Sequence, residues 1–477
     1  MQKKKTKIVA TIGPKSEDIK TLQVLFKSGV NVCRQNFSHG DHKEHRQRFK
    51  NIKQASKLSG KQVATLQDLS GPKIRTGENE ADEFLKLATG QVITLTNKKC
   101  KNSSERIFIN YPKLTKEVRP GDRVLLNDGK LSLRVVKKVS ENELLAKVLF
   151  GGNIRSRRGV NFPDSDISIS SLTPKDRKDL DFALKNLDFD FVALSFVRTA
   201  KDLRSLRNIL KKHNSKIRTV AKIETPQAVD NIDEILKEAD AVMVARGDLA
   251  TEIGVENVPM VQKRIIKKAN ALGKPVIVAT QMLESMIHSP VPTRAEVSDV
   301  SNAILDGADA VMLSEETAMG DYPLEAVSVM RDVALKTEKD INYKKRVQRE
   351  YAYQKGKIDK TDAVTRYAVK VALDLDAKAI VAFTETGTTA RMLSRFRPAQ
   401  GIFVISPYDE TLRQTQIVFA AYPGAKTNLS KKVDVIAVAR KFLLKSKTAK
   451  RGDKIVIVSG SVFGRPGETN TMTVVEV

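Results

Sequence analysis

Eight short apolar runs, each followed by a longer amphipathic stretch, constrain this chain more than any other feature. They read KIVATIG, VNVCRQNF, QVATLQD, DFVALSF, TVAKIE, AVMVARGD, KPVIVAT and DAVMLSE, with helical segments such as SEDIKTLQVLFKSG and KEHRQRFKNIKQASKLSG behind them. Buried runs of this kind alternating with helices predict parallel strands joined by crossovers. Eight such units imply an α/β chain built on a (β/α)8 TIM barrel, with its chemistry at the carboxyl ends of the strands. Polar residues end those strands: Arg34, Asn36 and Ser38; Asp68; Lys222 and Glu224; Asp248; Thr280; Ser314. A barrel serving only as a scaffold would not need so many.

The densest group lies between Thr219 and Asp248. Residues two apart on a strand share a face, so Val220, Lys222 and Glu224 point one way, as do Val244, Arg246 and Asp248 on the next strand. A cation and two carboxylates then meet at neighbouring strand ends. Mg²⁺ suits that set, because it takes one or two protein carboxylates and leaves its other positions to water and substrate oxygens. A lysine beside it suggests phosphate or enolate chemistry. The same residues also fit a structural ion pair at a strand rim.

Between residues 73 and 164 the period changes. GQVITLT, GDRVLLNDGKLSLRVVKKV and ELLAKVLFGG carry the Val, Leu and Thr content and the Gly-Asp and Asn-Asp-Gly turns of hairpins. We expect an inserted all-β domain, a small β-barrel, placed to act as a lid that excludes water. After the eighth unit comes the long helix PLEAVSVMRDVALKTEKDINY, then the charged segment KKRVQREYAYQKGKIDK, which reads as a linker. A third domain follows with its own strand and helix alternation, an open-sheet α/β unit. The expected limits are 1–72 and 165–344 for the barrel, 73–164 for the lid and 345–477 for the last domain. In the last domain the turn Thr384, Glu385, Thr386, Gly387, Thr388, Thr389 offers hydroxyls and free N–H groups to a phosphate. It reads equally as an N-capped turn with no ligand.

Composition narrows the function classes. No apolar run reaches the ~18 residues of a membrane span, the basic start lacks a signal-peptide core, and a cytoplasmic location is expected. Two cysteines exclude a disulfide framework, and Cys33 reads as a packed thiol. A formal net charge of +27 would suit a nucleic-acid binder, but the lysines are spread along the chain and Trp is absent. Steering of a polyanionic substrate explains the charge as well. A metal-dependent aldolase or lyase on the same barrel is a further alternative.

Taken together, TKIVATIGP, NVCRQNFSHG, QDLSGPKIRTG, AKIETPQAVDNIDEI, VMVARGDLATEIGVENVP, ATQMLESMI, PTRAEVSDVSNAILDGADAVMLSEETA and GDYPLEAV closely resemble the pyruvate kinase family. The resemblance implies transfer of the phosphoryl group of phosphoenolpyruvate to ADP, giving pyruvate and ATP. It implies that Glu224 and Asp248 hold Mg²⁺ or Mn²⁺, that Lys222 stabilises the phosphoryl group in flight, and that Arg34 holds the phosphate. Gly247 and Asp248 would offer N–H groups to the substrate carboxylate. Thr280 would stand near the methylene carbon, with protonation running through a water and Ser314. Pro14, Asn36, His39 and Arg75 match nucleotide-site positions, and Lys175 one that reaches the nucleotide phosphates. A homotetramer is implied, with a phosphorylated effector at Thr384, Thr386, Gly387, Thr388 and Thr389. The K⁺ site of the family resembles Asn36, Ser38, Asp68 and the carbonyl of Leu69. Lys73 stands where K⁺-dependent members have a glutamate, so its ammonium is expected to replace K⁺. DSDISISSLTP, ahead of Lys175, and Glu315 depart from the family pattern.

Overall fold

The computed structural model describes residues 4–80, 84–353, 358–429, 433–460 and 469–477. Eight strands form the barrel: β1 (Lys7–Thr11), β2 (Val32–Asn36), β3 (Ala64–Asp68), β4 (Phe191–Leu194), β5 (Arg218–Ile223), β6 (Ala241–Ala245), β7 (Val276–Ala279) and β8 (Ala310–Leu313). All neighbours pair in parallel and β1 closes on both β2 and β8. Side chains alternate across the wall. Val9, Val32, Leu66, Val220, Met243, Ile277 and Met312 meet inside the barrel, while Ile8, Cys33, Val192, Ala221, Val244, Val278 and Val311 pack under the helices. Cys33 is fully buried and burial pushes its thiol up, so it is a packing residue.

Local chemistry sets where the helices begin and end. Asp18 caps the helix Ile19–Ser28 by accepting from the backbone of Lys20 and Thr21, and Asp41 does the same for Lys43 and Glu44 at the head of His42–Ser59. Gly60, in the left-handed region at φ 63°, ends the second of these and turns the chain into β3.

The insertion is β-rich, as its composition suggested, and residues 74–77 lie between the two ends of its sheet. Its six-stranded sheet runs in the order Val160–Asn161, Arg123–Leu126, Leu131–Ser140, Glu143–Phe150, Val92–Thr96, Arg106–Phe108, and the two end strands do not pair among the described residues. The chain at residues 74–77 bridges both of them: Val160 N donates to the Ile74 carbonyl at 3.0 Å and Thr76 N to the Arg158 carbonyl at 2.8 Å on one side, and Gly77 N donates to the Phe108 carbonyl and Asn110 N to the Arg75 carbonyl, both at 3.0 Å, on the other. A separate pair, Leu85–Leu87 with Gly152–Ile154, lies beside them.

The last domain carries a five-stranded open sheet in the order Ala421–Lys426, Gly401–Ser406, Ala379–Phe383, Lys454–Gly460, Thr469–Glu476, with only the final strand antiparallel. The charged segment ahead of it is not a linker. Tyr343–Tyr353 is a helix, because Val347 and Tyr351 form an apolar stripe one turn apart and the last domain covers it. Tyr351 packs edge-on against Phe396, with ring centroids 5.1 Å apart, and Arg346 donates to the Leu305 carbonyl at 2.7 Å. Residues 354–357 of that segment lie outside the described residues. Arg397 and Asp309, both 3% exposed, form an ion pair at 2.7 Å between the last domain and the foot of β8.

Candidate active site

The inward face of each strand leads to the site. On β2 the series Val32, Arg34, Asn36 continues inward past the end of the apolar layer, and on β5 the series Val220, Lys222, Glu224 does so. Arg34 donates from Nε to Asp68 Oδ2 at 2.6 Å and from Nη1 to Thr11 Oγ1 at 2.8 Å. Lys222 Nζ donates to Ser195 Oγ at 2.7 Å, and Ser195 in turn donates to the Leu69 carbonyl at 2.7 Å. The ammonium also stands 2.9 Å from Glu224 Oε1 and 3.4 Å from Asp68 Oδ1. Both oxygens are buried, and the Lys222 ammonium is the one donor near them among the described residues. A carboxylate oxygen has more than one lone pair, so each can still accept from, or coordinate, a second group.

Electrostatics follow from that packing. Burial alone would lower the Lys222 ammonium, but Asp68, Glu224 and Asp248 outweigh it and raise it above the ordinary lysine range. Burial alone would raise Asp68, but Lys222 and Arg34 hold it below the usual carboxylate range. Glu224 goes the other way. Burial dominates, Asp248 adds repulsion, and the carboxyl is raised despite Lys222. A buried carboxyl that resists ionisation, with an oxygen that can still coordinate a second group, is one that a divalent cation would stabilise.

Asp248 reaches the same cleft by a different route from the one its spacing suggested. Strand β6 ends at Ala245 and a helix starts at Arg246, running to Ile253. Val244 packs outward under the helices, so strand alternation does not carry Val244, Arg246 and Asp248 to one face. Asp248 instead projects from the first turn of the helix, where a carboxylate is favoured by the free N–H groups. Arg246 turns away and is held by the Thr280 carbonyl at 2.9 Å and by Asp299 Oδ1 at 2.8 Å. Thr280 and Gln281 sit at φ 69° and 53°, an uncommon conformation outside glycine and least usual for the β-branched Thr280. Gly247 N–H, expected to meet a substrate carboxylate, donates to Thr280 Oγ1 at 2.7 Å. Glu224 Oε2 accepts from Phe196 N at 2.6 Å, and Phe196 holds φ 52°.

The cleft above these groups encloses about 400 Å³ and is roofed by the insertion. It brings together Arg34, Asn36, Ser38, Lys73, Arg75, Lys222, Glu224 and Asp248. Thr280, Ser314, Gly247, Pro14, His39 and Lys175 lie outside its lining. Ser314, at the end of β8, donates its N–H to Glu316 Oε2 at 2.6 Å. Pro14 and His39 are exposed. Burial, Lys73, Arg75 and Arg34 all lower the His39 imidazole. Lys175 donates to the Phe37 carbonyl and to Asp179, both at 2.6 Å. Of the groups matched to a monovalent site, Asp68 accepts from Arg34 through Oδ2, the Leu69 carbonyl accepts from Ser195, and Asn36 Oδ1 accepts from Ser38 N at 3.1 Å. Burial and the charges of Arg75 and Lys222 lower the Lys73 ammonium, while Asp248 supports it.

The cleft also holds residues that sequence reasoning missed. Asp128, Arg157 and Arg158 come from the insertion, and Ser195, Arg198 and Glu252 from the barrel. Asp128 belongs to the Asn-Asp-Gly turn, which was legible as a hairpin but not as part of a site. The oxygen donors present fit Mg²⁺: Glu224 and Asp248 supply two carboxylates, and among the described residues no set of three His, Cys, Asp or Glu side chains is arranged to cage an ion.

At the opposite end of the barrel, the Thr384–Thr389 turn is tied from within. Gly387 N donates to Thr384 Oγ1 at 3.0 Å, Thr386 and Thr388 hydroxyls lie 3.0 Å apart, and Thr389 meets Thr469 at 2.8 Å. Arg391 donates to Thr388 Oγ1 at 3.1 Å, and Arg218, from the foot of β5, donates to the Thr386 carbonyl at 3.1 Å. Arg395 points elsewhere, to Asp362 at 2.6 Å.

Comparison with known proteins agrees with this geometry. The family model "Pyruvate kinase, barrel domain" matches residues 3–327, and "Pyruvate kinase, alpha/beta domain" matches residues 362–475. A pyruvate kinase of Geobacillus stearothermophilus is 43% identical over 478 residues, covering 99% of this chain and 80% of that relative. One from Staphylococcus saprophyticus is also 43% identical, over 98% of this chain and 80% of the relative. The crystal structure of a pyruvate kinase from Cryptosporidium parvum superposes with a TM-score of 0.95 at 37% identity, covering 99% of this chain and 96% of that one. The chain belongs to the pyruvate kinase family.

Proposed function

We propose that the cleft between barrel and insertion transfers the phosphoryl group of phosphoenolpyruvate to ADP, the last step of glycolysis. The observation that carries this reading is the buried Lys222, held 3.4 Å from Asp68 Oδ1 and 2.9 Å from Glu224 Oε1, beside Asp248 and Arg34 in one cleft. An ADP oxygen attacks phosphorus, the bond from phosphorus to the enol oxygen breaks with its electron pair on that oxygen, and C3 of the enolate then takes a proton. Negative charge spreads over the equatorial phosphoryl oxygens as this happens. Lys222 and Arg34 present fixed positive charge there, and being held by Asp68 they need no rearrangement at the moment of transfer. Glu224 and Asp248 would hold Mg²⁺ or Mn²⁺, which when bound neutralises charge on substrate oxygens. Thr280 and Ser314, at the ends of β7 and β8, would handle the proton. Arg75, with Pro14, Asn36, His39 and Lys175 around the rim, would receive the nucleotide.

Further features belong to the same reading. Lys73 lines the cleft beside Lys222, and its ammonium would supply there the positive charge that K⁺ supplies in other members, which supports activity without K⁺. Arg218 and Arg391 beside the Thr384–Thr389 turn supply the positive charge that a phosphorylated effector would need. We take the chain to work in the cytoplasm as a homotetramer, with domain limits at 1–72 and 165–344, 73–164 and 345–477. No helix among the described residues is long and apolar enough to cross a membrane. The test is pyruvate formation by the purified protein from phosphoenolpyruvate and Mg²⁺. ADP-dependent turnover is expected, and its absence would overturn the reading.

A further inference from the structure

We propose that Glu252 is a positioning residue that latches the insertion over the cleft by accepting a hydrogen bond from the side-chain amide of Asn161. Asn161 Nδ2 lies 2.7 Å from Glu252 Oε1, and both residues line the cleft. Asn161 belongs to the two-residue end strand Val160–Asn161 of the inserted sheet, paired with Leu125. Glu252 belongs to the barrel helix Arg246–Ile253, one turn beyond Asp248. A second contact reaches the neighbouring residue: the inserted Asn-Asp-Gly turn approaches so closely that a Cβ on Gly129 would stand 3.6 Å from Thr251 Cγ2. The helix that carries the proposed metal ligand is thus also the seat of the insertion.

The chemistry of the pair makes it a latch rather than an incidental contact. An ionised carboxylate can only accept, so it fixes the Asn161 amide with its NH₂ toward the barrel. Burial penalises the charge of Glu252 most, the Asn161 amide and Arg198 offset that, and Asp248 and Asp164 add repulsion. Arg198 is itself anchored to the Ile169 carbonyl at 2.9 Å, on the strap that leads back from the insertion to the barrel. When the insertion lifts, Glu252 loses the amide and regains water. When it closes, the amide must take water's place or the carboxylate is left uncompensated beside Asp248. Closure and the carboxylate cluster at the cleft floor are thereby coupled.

The inference rests on the phosphoryl-transfer reading for its kinetic arm only. Glu252→Ala and Asn161→Ala should each reduce kcat/KM for ADP about tenfold, the worth of one charge-assisted hydrogen bond. The reciprocal swap, Glu252→Gln with Asn161→Asp, reverses donor and acceptor at unchanged net charge and should recover most of that loss. In the ligand-free protein, backbone hydrogen exchange at residues 159–162 should quicken in both alanine variants and slow again in the swap. Glu252→Gln alone keeps an acceptor and the side-chain volume, and should keep slow exchange. Alanine variants with unchanged exchange, or a swap that exchanges no more slowly than Asn161→Asp alone, would overturn the latch. Loss of phosphoryl transfer in the unmodified protein would overturn the function instead, and the exchange arm would still read the latch.

Discussion

Replacing Lys222 with Met removes one charge at nearly constant side-chain length, and its consequences can be worked from the site. The ammonium stands 2.9 Å from Glu224 Oε1 and 3.4 Å from Asp68 Oδ1, with both carboxylates essentially buried. Opposite unit charges ~3 Å apart at an effective dielectric of about 20 attract by roughly 5 kcal/mol. Breaking a buried pair by removing one partner costs about 3–5 kcal/mol of stability. Arg34 still compensates Asp68, and Glu224 can take up a proton, so a loss near the lower end, about 3 kcal/mol, is expected in urea unfolding at neutral pH. Catalysis should suffer more. One preorganised oxyanion donor is worth about 10²–10³ in kcat, and a full charge on a transferring phosphoryl group should exceed that. ATP formation should fall by at least ~10³, while metal-dependent exchange of the pyruvate methyl protons, assigned to Thr280 and Ser314, persists. An equal loss of both activities would refute the assignment of Lys222 to phosphoryl transfer alone.

Other consequences concern charge at both ends of the barrel. Burial raises the Glu224 carboxyl in the folded state, so its contribution to metal-free stability is present below the ordinary glutamate range and is lost as pH rises through the raised value. Mg²⁺ competes with that proton, so the rise in Tm on adding Mg²⁺ should grow with pH over this window and lose the dependence in Glu224→Gln; a pH-independent increment would contradict it. The unmodified enzyme should be fully active without K⁺ or NH₄⁺, and Lys73→Glu should become partly K⁺-dependent when KCl is titrated against tetramethylammonium chloride at constant ionic strength. Asp309 accepts from Arg397 Nη2 at 2.7 Å, Phe419 N at 2.9 Å and Val276 N at 3.1 Å, so Asp309→Ala should cost about 3–5 kcal/mol in denaturant unfolding, with partial recovery on adding Arg397→Met.

What could be read from the sequence follows from period and local chemistry. The two-residue repeat on β2 and β5 was enough to aim Arg34, Lys222 and Glu224 inward, because the barrel wall keeps that alternation to the strand ends. It failed at Asp248 because a helix begins at Arg246, and the Gly-Asp pair that starts it reads locally like the end of a strand. The charged segment after the barrel hid a helix, since Val347 and Tyr351 make a stripe that matters only once the last domain covers it. Arg218 at the Thr384–Thr389 turn and Glu252 against Asn161 were out of reach, being contacts across domains separated by 168 and 91 residues in the chain. No local period encodes such pairings.

The central claim is that this cleft moves a phosphoryl group from phosphoenolpyruvate to ADP. Following phosphorus by ³¹P NMR tests it most directly. With Mg²⁺ and ADP, the phosphoenolpyruvate signal should convert into the γ-phosphate of ATP, in step with pyruvate, and should stay unchanged when ADP is withheld. Release of inorganic phosphate without ATP, or consumption of phosphoenolpyruvate independent of ADP, would contradict the account.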